Sequence, residues 1–139
     1  MPFTGPLEDR LLIRELYDRY TDACWRWDRD DWLACFTDDA RWTTYLFDCS
    51  GKEEMRQTWD RISQDWLNVA YLNEIGSIEV DGDSATARAY AREVVELKSR
   101  GIVKPAARYE DKLIRQDGSW LFASRTYHLL FVEGAEEES

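Results

Sequence analysis

Residues 108–125 read RYEDKLIRQDGSWLFASR, two runs of alternating character around Asp117-Gly118. Asp-Gly is the dipeptide that a two-residue type I′ hairpin favours, because both loop positions need positive φ. The turn therefore sets a register. Gln116 faces Ser119, Leu113 faces Phe122, Asp111 faces Ser124 and Ala107 faces His128. A second stretch, IEVDGDSATARAYA at 78–91, repeats the pattern around Asp81-Gly82. That loop puts Val80 opposite Asp83 and Ile78 opposite Ala85. Alternation then gathers Ile78, Val80, Ala85, Ala87, Ala89, Ala91, Glu93 and Val95 on one apolar, inner face, and Arg88, Arg92, Arg108, Glu110 and Lys112 on the other.

Working outward, everything after about Ala70 reads as strands, with a looser turn between Lys98 and Pro105 centred near Gly101 to Ile102. Before that the pattern is helical. Ile13, Leu16, Tyr17, Tyr20, Cys24 and Trp27 recur at offsets of three and four, which predicts one long helix beginning near Pro6. Asp28 caps a second short helix that carries Trp32, Leu33, Cys35 and Phe36 and ends at Thr37, Asp38 and Asp39. A strand over Arg41 to Phe47 follows. Ser50-Gly51-Lys52-Glu53 then reads as a capping box ahead of a third helix bearing Met55, Trp59, Ile62 and Trp66. Helices first and a four-stranded antiparallel meander last predict an α+β fold: a curved antiparallel sheet with the N-terminal helices on its concave face. Residues 1–139 form one domain, with 133–139 as an acidic solvated tail.

Composition excludes several functions. The chain has 139 residues, 28 acidic against 18 basic, and a net charge of −10, which repels phosphate backbones and anionic membranes. No run approaches the roughly 20 apolar residues of a membrane span, and the start lacks the build of a signal peptide. Cys24, Cys35 and Cys49 without C-x-x-C spacing, and the single His128, do not make a zinc cluster. Reduced thiols and a cytoplasmic location are expected, with no metal and no cofactor. Phosphate loops, dinucleotide fingerprints and nucleophile elbows are absent. Seven Trp suit a core, or the wall of a planar polycyclic ligand.

The register turns few polar groups inward: Glu93, Tyr109, Asp111, Ser124 and His128. The turn near Gly101 brings Glu93 opposite Tyr109 or Asp111, and two carboxyls sharing an apolar surface cannot both ionise, so one becomes a proton donor or base near neutral pH. The structural alternative is that they pair with Arg125, if a bulge turns it inward.

The stretches DDWLACFTDDARW (30–42), IEVDGDSATARAYA and RYEDKLIRQDGSWLFASR, together with the order of elements, resemble the SnoaL-like group of the nuclear transport factor 2-like superfamily. That group includes polyketide cyclases, scytalone and bile-acid dehydratases and ketosteroid isomerase. The resemblance implies a Tyr on the first helix, matched by Tyr20, an acid at about Glu93, and an Arg on the last strand, matched by Arg125. Trp25 stands where an Asp is expected, and Tyr71 or a neighbour where a His is expected. Regular alternation turns His128 inward and Arg125 outward, and a bulge reverses this. Both stay candidates. The catalytic set is thus Glu93, Asp111, Tyr20, His128 and Arg125, and the substrate-binding set Tyr17, Trp25, Tyr71, Tyr109, Trp120 and Phe122.

The expected function is a cofactor-free enzyme performing dehydration, isomerisation or cyclisation on a hydrophobic polycyclic, polyketide- or steroid-like molecule. The alternative is a non-catalytic scaffold or ligand-binding subunit like the small subunit of a ring-hydroxylating dioxygenase. In either case the superfamily resemblance implies a homodimer or higher homo-oligomer through the outer sheet face.

Overall fold

The structure, a computed structural model, describes residues 2–134. Two strand residues, Phe3–Thr4 (β1), precede the long helix α1 (Leu7–Arg26) and the short helix α2 (Arg29–Leu33). Then come β2 (Phe36–Thr43), β3 (Asp48–Ser50), α3 (Lys52–Ile62), one 3₁₀ turn, and the long strands β4 (Trp66–Asp81), β5 (Ser84–Leu97), β6 (Gly101–Gln116) and β7 (Ser119–Gly134). One curved sheet contains all seven strands in the order β1-β4-β5-β6-β7-β2-β3. The four long strands form the expected antiparallel meander, whereas β1 joins β4 and β2 joins β7 in parallel.

Local chemistry accounts for most boundaries. Pro6 precedes α1, and the Asp28 side chain accepts the Asp31 amide at the start of α2. The cluster Thr37, Asp38, Asp39 lies inside β2 rather than ending a helix, because β2 starts at Phe36 and pairs with β7. The same strand stops at Thr43, so Phe47 lies in the following turn. α3 has no capping box: Gly51 (φ 85°) is its N-cap and supplies no side-chain bond, while Glu54 reaches back to the Ser50 amide at 3.4 Å. Trp66 belongs to β4, not to α3. Of the expected tail, Glu133 and Gly134 finish β7, and 135–139 lie outside the described residues.

The Asp117-Gly118 loop forms as read, with both residues at positive φ and Gln116 opposite Ser119. The other two-residue loop sits one position later, at Gly82-Asp83, so that Asp81 pairs Ser84 and Ile78 pairs Ala87. This moves every partner by two, which keeps the same side chains inside. Leu97 pairs Gly101, which places the third turn over 98–100.

Bulges decide what faces the concave side. Gly76 is an extra residue on β4, between the pairs Ile75–Ala89 and Ser77–Arg88. A Cβ there would meet the Tyr90 ring at 2.7 Å, so any larger residue would require that ring to move. Ala123 is an extra residue on β7, between Lys112–Ser124 and Leu113–Phe122. Past it, parity reverses. Arg125 and Tyr127 turn inward, Arg125 opposite Asp111, while Ser124 and His128 turn outward. His128 therefore lies on the solvent face, its Nε2 at 3.4 Å from Glu110. Deleting Ala123 should restore regular alternation, expel Arg125 and strand Asp111 in the core. A loss of about 3–5 kcal/mol is expected from leaving one partner of a buried pair uncompensated. Urea unfolding reads it, and an unchanged midpoint would contradict this account.

Candidate active site

Two carboxyls lie on the concave face, and the strands keep them far apart. Asp111 pairs Ala87, whereas the flanking pairs Arg92–Ala106 and Val95–Val103 put Glu93 level with Pro105. Six residues along β5 separate the two, about 20 Å at strand rise. The expected carboxyl pair does not form, because the turn lies at 98–100 and sets that register.

Asp111 is wholly committed. Arg125, 0 % exposed, donates Nε and Nη2 to its two oxygens at 2.9 and 3.0 Å, and the Tyr17 hydroxyl donates to Oδ2. The Arg125 guanidinium lies 3.6 Å from the Tyr109 ring centroid, 4.5 Å from Tyr20 and Phe122 and 5.2 Å from Tyr17. Burial alone would push its pKa down, but the Asp111 charge outweighs this and the direction is up. Arg125 stays charged, and its charge is balanced before any ligand arrives.

Glu93 is in the opposite situation. It lies on the wall of a cavity of about 200 Å³ between α1, α2, α3, the turn at 44–47 and the wide end of the sheet. Of the described residues lining that cavity it is the one charged side chain, among Trp32, Trp42, Trp59, Trp66, Val95 and Leu97. Tyr127 donates its hydroxyl to Glu93 Oε2 at 2.8 Å. Burial raises the Glu93 pKa above the ordinary carboxyl value, and the Tyr127 bond only partly offsets it. Tyr71 sits directly across the β4–β5 ladder from Glu93, and its hydroxyl is buried without a partner among the described residues. Tyr20 from α1, Tyr109 from β6, and Thr44 and Tyr45 from the turn at 44–47 also stand on the wall.

The sequence-derived sets divide accordingly. Glu93, Tyr20, Tyr71 and Tyr109 share the cavity wall. Arg125, Asp111, Tyr17 and Phe122 are buried beneath it, where Phe122 packs on Tyr17 and Tyr20. His128 is excluded by the bulge. Trp25 is 50 % exposed and points away from the cavity, its indole N–H bonding the Tyr71 carbonyl at 2.7 Å. Trp120 lies at the far end, bonded to Asp9 at 3.3 Å. Wall residues outside those sets include Cys24 and Tyr127. Cys24 faces the cavity because it follows Tyr20 by four positions, one turn of the same helix face, whereas Trp25 follows by five. Tyr127 needed knowledge of the bulge. Cys24, Cys35 and Cys49 are free thiols, and burial pushes the Cys24 thiol up, away from nucleophile chemistry. Among the described residues no three His, Cys, Asp or Glu side chains are grouped to hold a metal ion, and no helix is long and apolar enough to cross a membrane.

The sequence model of the SnoaL-like domain matches residues 5–126, and the chain belongs to that family. Among curated proteins no sequence match is found. A protein from Novosphingobium aromaticivorans named as an aromatic ring hydroxylase is 26 % identical, with a TM-score of 0.87 over 95 % of this chain and 96 % of that one. A protein from the same organism named as a scytalone dehydratase is 18 % identical, with a TM-score of 0.85 over 96 % and 91 %. The hexachlorocyclohexane dehydrochlorinase LinA-type3 of Novosphingobium barchaimii is 18 % identical, with a TM-score of 0.82 over 95 % and 93 %. At these identities the last two establish the shared fold.

The raised Glu93 pKa carries a stability consequence of definite sign. A carboxyl whose folded pKa exceeds its unfolded value stabilises the fold fully below the unfolded pKa, about 4.3, and that contribution is lost as pH rises through the folded value. Glu93→Gln should therefore match the wild-type melting temperature near pH 4 and exceed it as pH rises toward the folded pKa of Glu93, the difference levelling off above it. A variant less stable than wild type at pH 8 would identify Glu93 as a structural ion partner instead.

Proposed function

We propose that the protein is a cofactor-free enzyme that moves a proton on an uncharged, hydrophobic ring compound bearing a carbonyl, with Glu93 as the acid–base group. The observation that carries this reading is one carboxyl without a cationic partner in an open aromatic cavity, while the second inward carboxyl is neutralised by Arg125. A buried carboxyl whose pKa is raised toward the working pH is what general acid–base catalysis requires. Glu93 takes a proton from the carbon next to the carbonyl, the C–H electron pair passes into the enolate, and a tyrosine hydroxyl bonds the oxygen that gains charge. Tyr71, whose hydroxyl has no partner among the described residues, is the foremost donor, with Tyr20 and Tyr109 beside it. Protonated Glu93 then returns the proton to another carbon, giving isomerisation, or to a departing hydroxyl, giving loss of water.

The wall supports a narrower substrate class than the sequence did. Among the described residues it offers no cation to an anionic ligand. About 200 Å³ suits one ring or two fused rings, since an apolar cavity of about 150 Å³ holds benzene. A steroid would need the turn at 44–47 to move. The dehydratase and dehydrochlorinase named among the fold neighbours are consistent with elimination chemistry on small rings.

A second reading, a scaffold or ligand-binding subunit, is favoured by the exposed apolar side chains Leu72, Tyr90, Val94 and Ile102. The open cavity speaks against the scaffold, which gains stability by filling that space. Exchange of the protons next to the carbonyl of 2-tetralone in D₂O, followed by NMR, separates the two. Wild type should accelerate exchange, Glu93→Gln should lose about 10²-fold or more, and Tyr71→Phe should lose rate with binding largely kept. Binding without acceleration would support the second reading.

A further inference from the structure

We propose that Tyr127 is the positioning residue of the site: it holds Oε2 of Glu93 and so leaves Oε1 as the oxygen that exchanges the proton with the ligand. This inference rests on the acid–base reading of Glu93. The Tyr127 hydroxyl reaches Oε2 at 2.8 Å, and Oε1 accepts no hydrogen bond from the described residues although the side chain lines the cavity. Tyr127 is itself held in place by packing. The Tyr109 ring meets it edge-on at 5.1 Å and the Tyr45 ring lies nearly parallel to it at 5.9 Å, so its hydroxyl is aimed by neighbours on β6 and on the turn at 44–47.

The surroundings make Tyr127 a donor that keeps its proton. Burial, and then the charge of Glu93, push its phenol well above the ordinary value, so it orients the carboxylate and does not itself deliver the proton. The other titratable groups facing Glu93 are Cys24 from α1, Tyr71 from β4 and Tyr109 from β6, each raised by burial and neutral near pH 7. Among the described residues no cation faces it, since Arg125 is bound to Asp111. Tyr127 is then the one partner that favours the charged form of Glu93, and it sets both the geometry and the basicity of the free oxygen. The transfer balances without a co-reactant. A proton leaves a ligand carbon for Oε1 as the C–H pair moves into the enolate, and the same proton leaves Oε1 in the second step.

The test uses the whole protein with glutamate labelled at the side-chain carboxyl carbon, titrated by NMR. The Glu93 signal is the one missing from Glu93→Gln. In wild type it should titrate above the ordinary carboxyl range. In Tyr127→Phe, which keeps the ring and its contacts, it should titrate about one unit higher, because a bond to the charged form is gone. Where 2-tetralone exchange is measurable, the acid limb of its pH profile should move by the same amount with KM nearly unchanged. A high Glu93 titration that is identical in Tyr127→Phe would overturn the role of Tyr127 alone. An ordinary titration in wild type would overturn the acid–base reading beneath it.

Discussion

The meeting of Arg125 with Asp111 is the contact on which the arrangement of the concave face depends. Burying either charge alone costs several kcal/mol, so the sheet is stable only in a register that brings them together. Regular alternation from the Asp117-Gly118 turn does not achieve this. One residue, Ala123, has to be looped out of β7, and everything beyond it changes sides. Tyr127 enters the cavity by the same displacement that sends His128 out to Glu110. The four rings around the guanidinium then occupy the middle of the cone and form the floor on which the cavity stands.

The two inward carboxyls consequently have different work to do. Asp111 has a bidentate cation and a phenol, and nothing is left over for chemistry. Glu93 has one phenol and an open space. The same residue class is structural at one end of the sheet and chemically available at the other, and the difference lies in which strand partner stands opposite: Arg125 across from Asp111, Tyr71 across from Glu93. Both partners reach the concave side through a bulge, Gly76 for Tyr71 and Ala123 for Arg125.

Much of this was legible in the sequence. The helix stripe from Ile13 to Tyr20, the Asp28 cap, the Asp-Gly turns and the alternating alanines of β5 each follow from local chemistry, and the α+β arrangement with its inner face follows from them. A one-position error in the Gly82-Asp83 turn did no harm, since strand facing has a period of two. The bulges escaped for opposite reasons. Gly76 is a visible signal, a glycine within a strand, that went unused; Ala123, flanked by Phe122 and Ser124, carries no signal, because its displacement is imposed by partners on β6. The mistaken pairing of Glu93 with Asp111 came from placing the third turn too late along the chain. Trp25 was misassigned by one residue on a helix, a rotation of about 100°, which carried it from the cavity to the edge of β4.

The tryptophans around the cavity give the molecule an optical property. Trp32 lies 4.8 Å from both Trp42 and Trp59, and Trp59 lies 5.0 Å from Trp66, ring centre to ring centre. At such separations excitation absorbed by one indole migrates to the others before it is emitted, so the four behave as one chromophore wrapped around the binding space. A ring compound that absorbs in the near ultraviolet would extinguish that shared emission on entering, and the cavity would signal its own occupancy without an attached dye.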